Sequence, residues 1–351
     1  MPELTSRVRD HRLDAAKGVL ICLVVFGHLL EQTSFWDAGS IRLPLTAIYL
    51  FHMPAFVFLA GVTAKTSRMV ERAGSSLVLL LAFQGLYFGF DLLIESPQKF
   101  TYFPFWTLWF LLSMVYWQLL LPVILKLRGV AMAGSVVLAL GAGFADGVIG
   151  NDWAVSRALV FLPCYAAGAL YGHKFLALAS RTSTGLKAGL VVASGAVAWV
   201  IFSLDMKPGW FFGNRSYAGL GDDAPDGVFV RAGLLAVAAL MTFTLLCLIP
   251  NRVGTATAVG RSSLAVYLFH GFVVMAVTPL MPLVWENAGR WGALALCALF
   301  TVVIVAAFSR PVFDKALRVT SQTIVRLVTA PLADRPKSSR ETPEKMQVEP
   351  E

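Results

Sequence analysis

The chain has 351 residues, of which 57% are hydrophobic and only 14% charged. Soluble domains carry roughly a quarter charged residues, so a water-soluble globular protein is excluded. The absence of a Gly-X-Y period or a Gln/Asn tract excludes collagen-like and low-complexity chains. The net charge of +8 raises nucleic acid as a partner, a reading that depends on where the charge sits.

A membrane-crossing helix needs about 20 apolar residues. In chain order, ten segments approach or reach that length: 17–33, 44–64, 76–94, 106–125, 129–148, 154–172, 186–204, 229–249, 262–282 and 291–309. The first is long and follows a polar, basic stretch, so no separate signal peptide is expected. Of the 29 Lys and Arg residues, 22 fall on the side that holds both termini and 7 on the other. Cytoplasmic loops are the basic ones. The sequence therefore predicts an all-α, polytopic bundle of about ten transmembrane helices in the inner (cytoplasmic) membrane, with both termini cytoplasmic. The charge acts as an orientation signal, and no nucleic acid is expected. Residues 1–12 form a cytoplasmic N-terminal segment, 13–310 the membrane domain and 311–351 a cytoplasmic tail, disordered towards its polar end. No internal repeat of the inverted-transporter kind stands out, and no oligomeric state follows.

Four cysteines (Cys22, Cys164, Cys247, Cys297) stand singly in apolar runs, and none of the five histidines is paired at metal-ligand spacing. Neither a disulfide framework nor a metal is expected. The longest outer loop, Asp205–Gly227, combines Trp210, Phe211, Phe212, Asn214, Arg215, Asp222 and Asp223. That mix suits a sugar, and it equally suits an interfacial aromatic belt followed by a solvated acidic loop.

Chemistry concentrates in the first span. Asp14, Lys17, His28 and Glu31 fall, at about 100° per residue, within about a third of the helix circumference. Eleven residues separate Lys17 from His28, roughly 16 Å along the axis. Ionisable groups inside a span face protein or water and start as functional candidates. The blander alternatives are a snorkelling Lys17 and a His28 that packs with one satisfied hydrogen bond.

Five separated motifs follow one another along the chain. They are Lys17-x10-His28 preceded by Asp14; Phe51-His52-Met53-Pro54-Ala55-Phe56 with Gly61; Leu108-Trp109-Phe110-Leu111 with Trp117 and Leu121-Pro122; Phe161-Leu162-Pro163 with Gly168; and Gly260-Arg261-Ser262-Ser263-Leu264 with Tyr267-Leu268-Phe269-His270. In this order they resemble the membrane acyltransferase family 3, within it the bacterial sugar O-acetylases of the fucose 4-O-acetylase type, over residues 10–310. Some members of that family carry an additional soluble esterase-like domain at the C-terminus. None is expected here, which leaves one catalytic site.

The resemblance implies transfer of an acyl group, most often acetyl, from cytoplasmic acetyl-CoA to a hydroxyl of a sugar, glycan or lipid-linked saccharide at the cell envelope. On that reading Lys17, with Arg12 and Arg261, holds CoA phosphates. His28 is the general base, Glu31 orients it, and Asp14 pairs with Lys17. His52, Trp109, Arg157 and Asp91 are substrate-binding candidates, with Trp109 alternatively an interfacial anchor and Asp91 and Arg157 alternatively an ion pair. No G-x-S-x-G elbow is present, which favours direct transfer, with an acyl-histidine intermediate as the variant. Succinyl transfer to a periplasmic glucan is the neighbouring alternative, and a polar-solute transporter the alternative from another class. Ser262 and Ser263 read as a helix cap, and Gly27 and Gly61 as close-packing positions.

Overall fold

The computed structural model describes residues 10–34, 36–95, 103–145, 152–221 and 224–333. Among them every regular element is a helix: α1 (Arg12–Ser34), α2 (Gly39–Tyr49), α3 (His52–Val62), α4 (Met69–Leu93), α5 (Trp109–Leu127), α6 (Gly129–Gly141), α7 (Val155–Val160), α8 (Leu162–Arg181), α9 (Thr184–Ser203), α10 (Gly209–Phe212), α11 (Tyr217–Leu220), α12 (Ala224–Leu248), α13 (Thr255–Arg261), α14 (Ser263–Val277), α15 (Met281–Phe308) and α16 (Pro311–Ala333). A short 3-10 turn, Trp106–Leu108, leads into α5.

Seven helical stretches among the described residues are long and apolar enough to cross a membrane, and eight if the bent pair Asp152–Val160 and Leu162–Arg181 is one span. One of the seven, Ser263–Phe308, runs 46 residues, about 69 Å at 1.5 Å per residue and more than twice a bilayer core of about 30 Å. It doubles back, because α15 packs against α14. Large apolar side chains stand exposed on the outer helices, among them Leu92, Val192, Trp199, Phe229 and Val302. In water such a surface would aggregate; in lipid it is the solvated one.

The Lys17 helix is the axis of the bundle: α1 packs against α2, α3, α12, α13, α14 and α15. Two glycine pairs set the closest crossings. A Cβ on Gly18 would lie 2.0 Å from the Ala256 carbonyl oxygen, and one on Gly260 1.7 Å from that of Asp14. Likewise a Cβ on Gly61 would meet the Tyr165 carbonyl oxygen at 2.2 Å, and one on Gly168 that of Phe58 at 2.1 Å. Thus α1 meets α13, and α3 meets α8, backbone against backbone. Gly27 differs, since a Cβ there would meet only side chains, the Tyr49 ring at 3.3 Å and Ile48 at 3.5 Å.

The second predicted span is broken. Pro54 has no N–H to give the Leu50 carbonyl, and α2 gives way to α3 at Leu50 and Phe51, with Phe51 at φ −139°. His52 Nδ1 lies 2.8 Å from the Ile48 carbonyl. Its side chain thus caps the end of α2 and is held in the bundle interior.

The segment after α9 folds inward. Arg42 forms an ion pair with Asp205 and donates to the Met206 carbonyl at 3.1 Å. Arg231, 3% exposed, donates to the Arg215 carbonyl at 3.1 Å and lies over the Tyr217 ring at 4.6 Å. Trp36 stacks on Phe211. The aromatic run that suited either a belt or a sugar site packs into the protein as α10 and α11, whereas Asp222 and Asp223 lie outside the described residues. The tail begins as a helix: α16 lies against α4 and α14, with Gly74 on α4 admitting Val325.

Candidate active site

A cavity of about 520 Å³ lies under the α10–α11 segment. His28, Glu31, Tyr49, His52, Trp106, Trp109, Arg157 and Tyr267 line its inner part, and Lys207, Phe212, Asn214 and Arg215 its outer wall. A second cavity of about 200 Å³ is lined by Lys17, Ile21, Met53, Phe110, Met114, Ser263 and Tyr267. Val24, Met53 and Tyr267 line both, so the two spaces meet at those three side chains. On α1 the wall residues are Lys17, Ile21, Val24, His28 and Glu31. Spacings of four, three, four and three form a single helical stripe. Lys17, His28 and Glu31 of the wedge seen in the sequence thus face two adjoining cavities, Lys17 one and His28 and Glu31 the other.

His28 does not bond to Glu31. Its Nδ1 lies 3.0 Å from His270 Nε2, while Glu31 accepts from Trp36 Nε1 at 3.1 Å and from the Tyr49 hydroxyl at 2.8 Å. The expected orienting carboxylate is held by two aromatic donors, and a second histidine faces the first. Trp106 packs beside both rings, 5.0 Å from His28 and 6.2 Å from His270 between centroids.

The remaining candidates separate into two groups. His52, Trp109 and Arg157 share the chamber with His28. The Arg157 guanidinium lies 5.1 Å over the Trp109 ring, and Trp109 stacks on Phe161. Trp109 thus forms part of the chamber wall. Asp91 does not line the chamber. It is 8% exposed on α4, and its Oδ1 finds no hydrogen-bond partner among the described residues.

At the Lys17 end, Arg12 is bound to Asp10 at 2.8 Å and donates to the Leu176 carbonyl at 2.9 Å. Burial acts to raise the Asp10 carboxyl, but the Arg12 hydrogen bonds and charge outweigh it and hold it below the usual carboxylate value. Arg261 pairs with Asp14 at 3.5 Å, so the acid assigned to Lys17 ties α1 to α13. Ser262 makes no side-chain cap on α14, and Ser263 faces the inner cavity.

Tyr267, which carried a motif but no role, lines the chamber, as do Tyr49, Trp106 and Lys207, which were not singled out. Each sits in a run of apolar or aromatic residues or in a loop, where no periodicity distinguishes a wall from a core. His270 carried a motif but no role, because its partner lies 242 positions away in the chain.

Fold and site together define a class: a multi-pass helical membrane protein with a histidine-lined chamber beside a second, smaller cavity. The chain belongs to the acyltransferase-domain family 3, whose family model matches residues 10–310. It is similar to Nodulation protein NolL of Sinorhizobium fredii (strain NBRC 101917 / NGR234), 43% identical over 58 residues, 16% of this chain and 16% of that protein. It is also similar to Nodulation protein NolL of Mesorhizobium japonicum (strain LMG 29417 / CECT 9101 / MAFF 303099), 32% identical over 101 residues, 26% of this chain and 27% of that one. The chain thus spans about a quarter or less of the curated relatives it matches. No solved structure matches it.

Proposed function

We propose that this acyltransferase moves an acetyl group from cytoplasmic acetyl-CoA to a hydroxyl of a sugar or glycan, in a cytoplasmic membrane crossed about ten times with both termini inside. The observation that carries the reading is the single stripe from Lys17 to His28, which forms one wall of two cavities that meet.

Lys17 stands where CoA phosphates would be held as the donor enters, with Arg12 at the start of the same helix and Arg261 at the end of α13, which packs against it. Ile21, Val24 and Met53 present an apolar wall to the pantetheine arm. The thioester carbonyl then reaches the chamber beside His28. There the imidazole removes the acceptor hydroxyl proton as its oxygen attacks the thioester carbonyl. The C–S bond breaks, the thiolate leaves as CoA, and the proton passes from the imidazolium to sulfur. Such a base contributes about 10²–10⁴-fold. Arg157, held over Trp109, supplies positive charge where an oxyanion develops. The outer wall, with Lys207, Asn214 and Arg215, receives the acceptor.

Arg157 also favours a second reading, in which the transferred group is succinyl and its free carboxylate meets that guanidinium. The test is thiol release from acetyl-CoA and from succinyl-CoA by purified protein supplied with a bacterial glycan mixture, alongside donor binding. His28→Ala is expected to lose turnover by at least about a hundredfold with donor binding retained. Lys17→Ala is expected mainly to weaken donor binding. Arg157→Leu that abolishes only the succinyl reaction selects the second reading. Turnover at the wild-type rate by His28→Ala rejects the mechanism. Absence of both binding and turnover in the wild type moves a polar-solute transporter to first place.

A further inference from the structure

Carbonyl oxygens only accept hydrogen bonds, and this one fact sets the protonation of both rings in the histidine pair. His270 Nδ1 lies 2.6 Å from the Tyr267 carbonyl and 3.2 Å from the Val266 carbonyl, the two acceptors one turn back on its own helix. Nδ1 must therefore carry the His270 proton. In a neutral ring Nε2 then holds a lone pair, and that lone pair faces His28 Nδ1 at 3.0 Å.

The ring geometry makes this a well-aligned hydrogen bond rather than a stacking contact. The centroids are 5.2 Å apart with 20° between planes, while the facing nitrogens are 3.0 Å apart. The excess of the first distance over the second is one ring width, so both nitrogens lie on the line joining the centroids. The two imidazoles meet edge to edge, with the N–H aimed along the lone pair.

We infer that His270 is a positioning residue that holds His28 in the Nδ1–H tautomer, leaving His28 Nε2 unprotonated and turned to the chamber. His28 lines the chamber and His270 does not; His270 is 0% exposed and acts only through its neighbour. Its own support is rigid. The Tyr267 hydroxyl donates to the Thr107 carbonyl at 2.6 Å, tying α14 to the turn that carries Trp106. The Tyr87 hydroxyl donates to the Leu268 carbonyl at 2.7 Å, a close approach made over Gly271. The arrangement does for a histidine base what a carboxylate does elsewhere. Glu31 is left to Trp36 and Tyr49. The catalytic meaning rests on the proposal that His28 is the base; the tautomer does not.

Two measurements separate those parts. Side-chain ¹⁵N NMR of histidine-labelled protein in nanodiscs, with the His28 signals identified by their loss in His28→Asn, reports the tautomer directly. The expected result in the wild type is a protonated Nδ1 and a bare Nε2. An Nε2–H tautomer or a doubly protonated ring at neutral pH overturns the inference, and this needs no folded variant. Thiol release from acetyl-CoA with the glycan mixture then compares His270→Ala with His270→Gln, whose Oε1 can accept in place of Nε2. Removing the group that orients a metal-bound histidine typically costs about 10–100-fold, and the same scale is taken for this ring. The expected pattern is a kcat fall of that size in His270→Ala, an unchanged KM for acetyl-CoA, and partial recovery in His270→Gln. If His270→Ala turns over at the wild-type rate, His270 has no positioning role even where the tautomer is as inferred. If the tautomer is as inferred and the wild type neither binds acetyl-CoA nor releases thiol, the positioning of His28 stands and the acyl-transfer reading fails.

Discussion

Individual side chains in this chamber are placed by contacts the apolar surroundings make strong. Arg157 depends on the Trp109 face beneath it, an interaction worth about 0.5–2 kcal/mol. Trp109→Ala is expected to raise the KM of the substrate that Arg157 meets several-fold with a smaller change in kcat, whereas Trp109→Phe keeps a ring and most of the effect. Steady-state kinetics with the donor varied and then the acceptor varied identifies which substrate that is. At the far end of α1, Asp10 and Arg12 act as a pair. Because the Asp10 carboxyl is held below its ordinary value in the fold, its contribution is present above the unfolded value and is lost as pH falls through the folded one. Thermal unfolding in detergent from pH 7 down to pH 3 is expected to show an acid-side loss that is smaller in Asp10→Asn.

The elements are set against one another chiefly by what is missing from glycine. Between α3 and α8, Gly61 and Gly168 each face a carbonyl oxygen that a methyl group would overlap. Neither backbone can yield as a side chain would, so Gly168→Ala must push the helices apart. A cost of about 1–3 kcal/mol is expected for such overpacking, read as a lower unfolding temperature in detergent. Gly27→Ala meets only the Tyr49 and Ile48 side chains and should cost less. The break between α2 and α3 belongs to the same scale. Pro54 ends one helix, and His52 satisfies the carbonyl at Ile48. Pro54→Ala allows the helices to run on and frees His52 from that contact, so acceptor KM is expected to rise.

For the whole molecule, the charge asymmetry makes a directional prediction. A single cysteine introduced at Lys207 in a cysteine-less background should react with an impermeant thiol reagent in intact cells, and one at Asp314 only after permeabilisation. Labelling of both from the same side would reject the orientation. The native Cys22, Cys164, Cys247 and Cys297 are all buried or half-buried, so replacing them should leave the topology unchanged.

What the sequence by itself determined was the apolar helical nature of the chain, the wedge on α1, and the family to which residues 10–310 belong. These are properties of composition, periodicity and short motifs, which local chemistry imposes without reference to the rest of the fold. The split of the second span was also implicit in Pro54, although its length alone read as one helix. Only the tertiary structure brought His270 to His28, gave Glu31 to Trp36 and Tyr49, and folded α10 and α11 over the chamber. These contacts join residues from well-separated parts of the chain. Their partners are chosen by how helices cross, and the crossings are decided where Gly18 meets Ala256 and Gly61 meets Tyr165. A linear pattern records that a residue is polar within an apolar helix. Which polar group answers it depends on the packing.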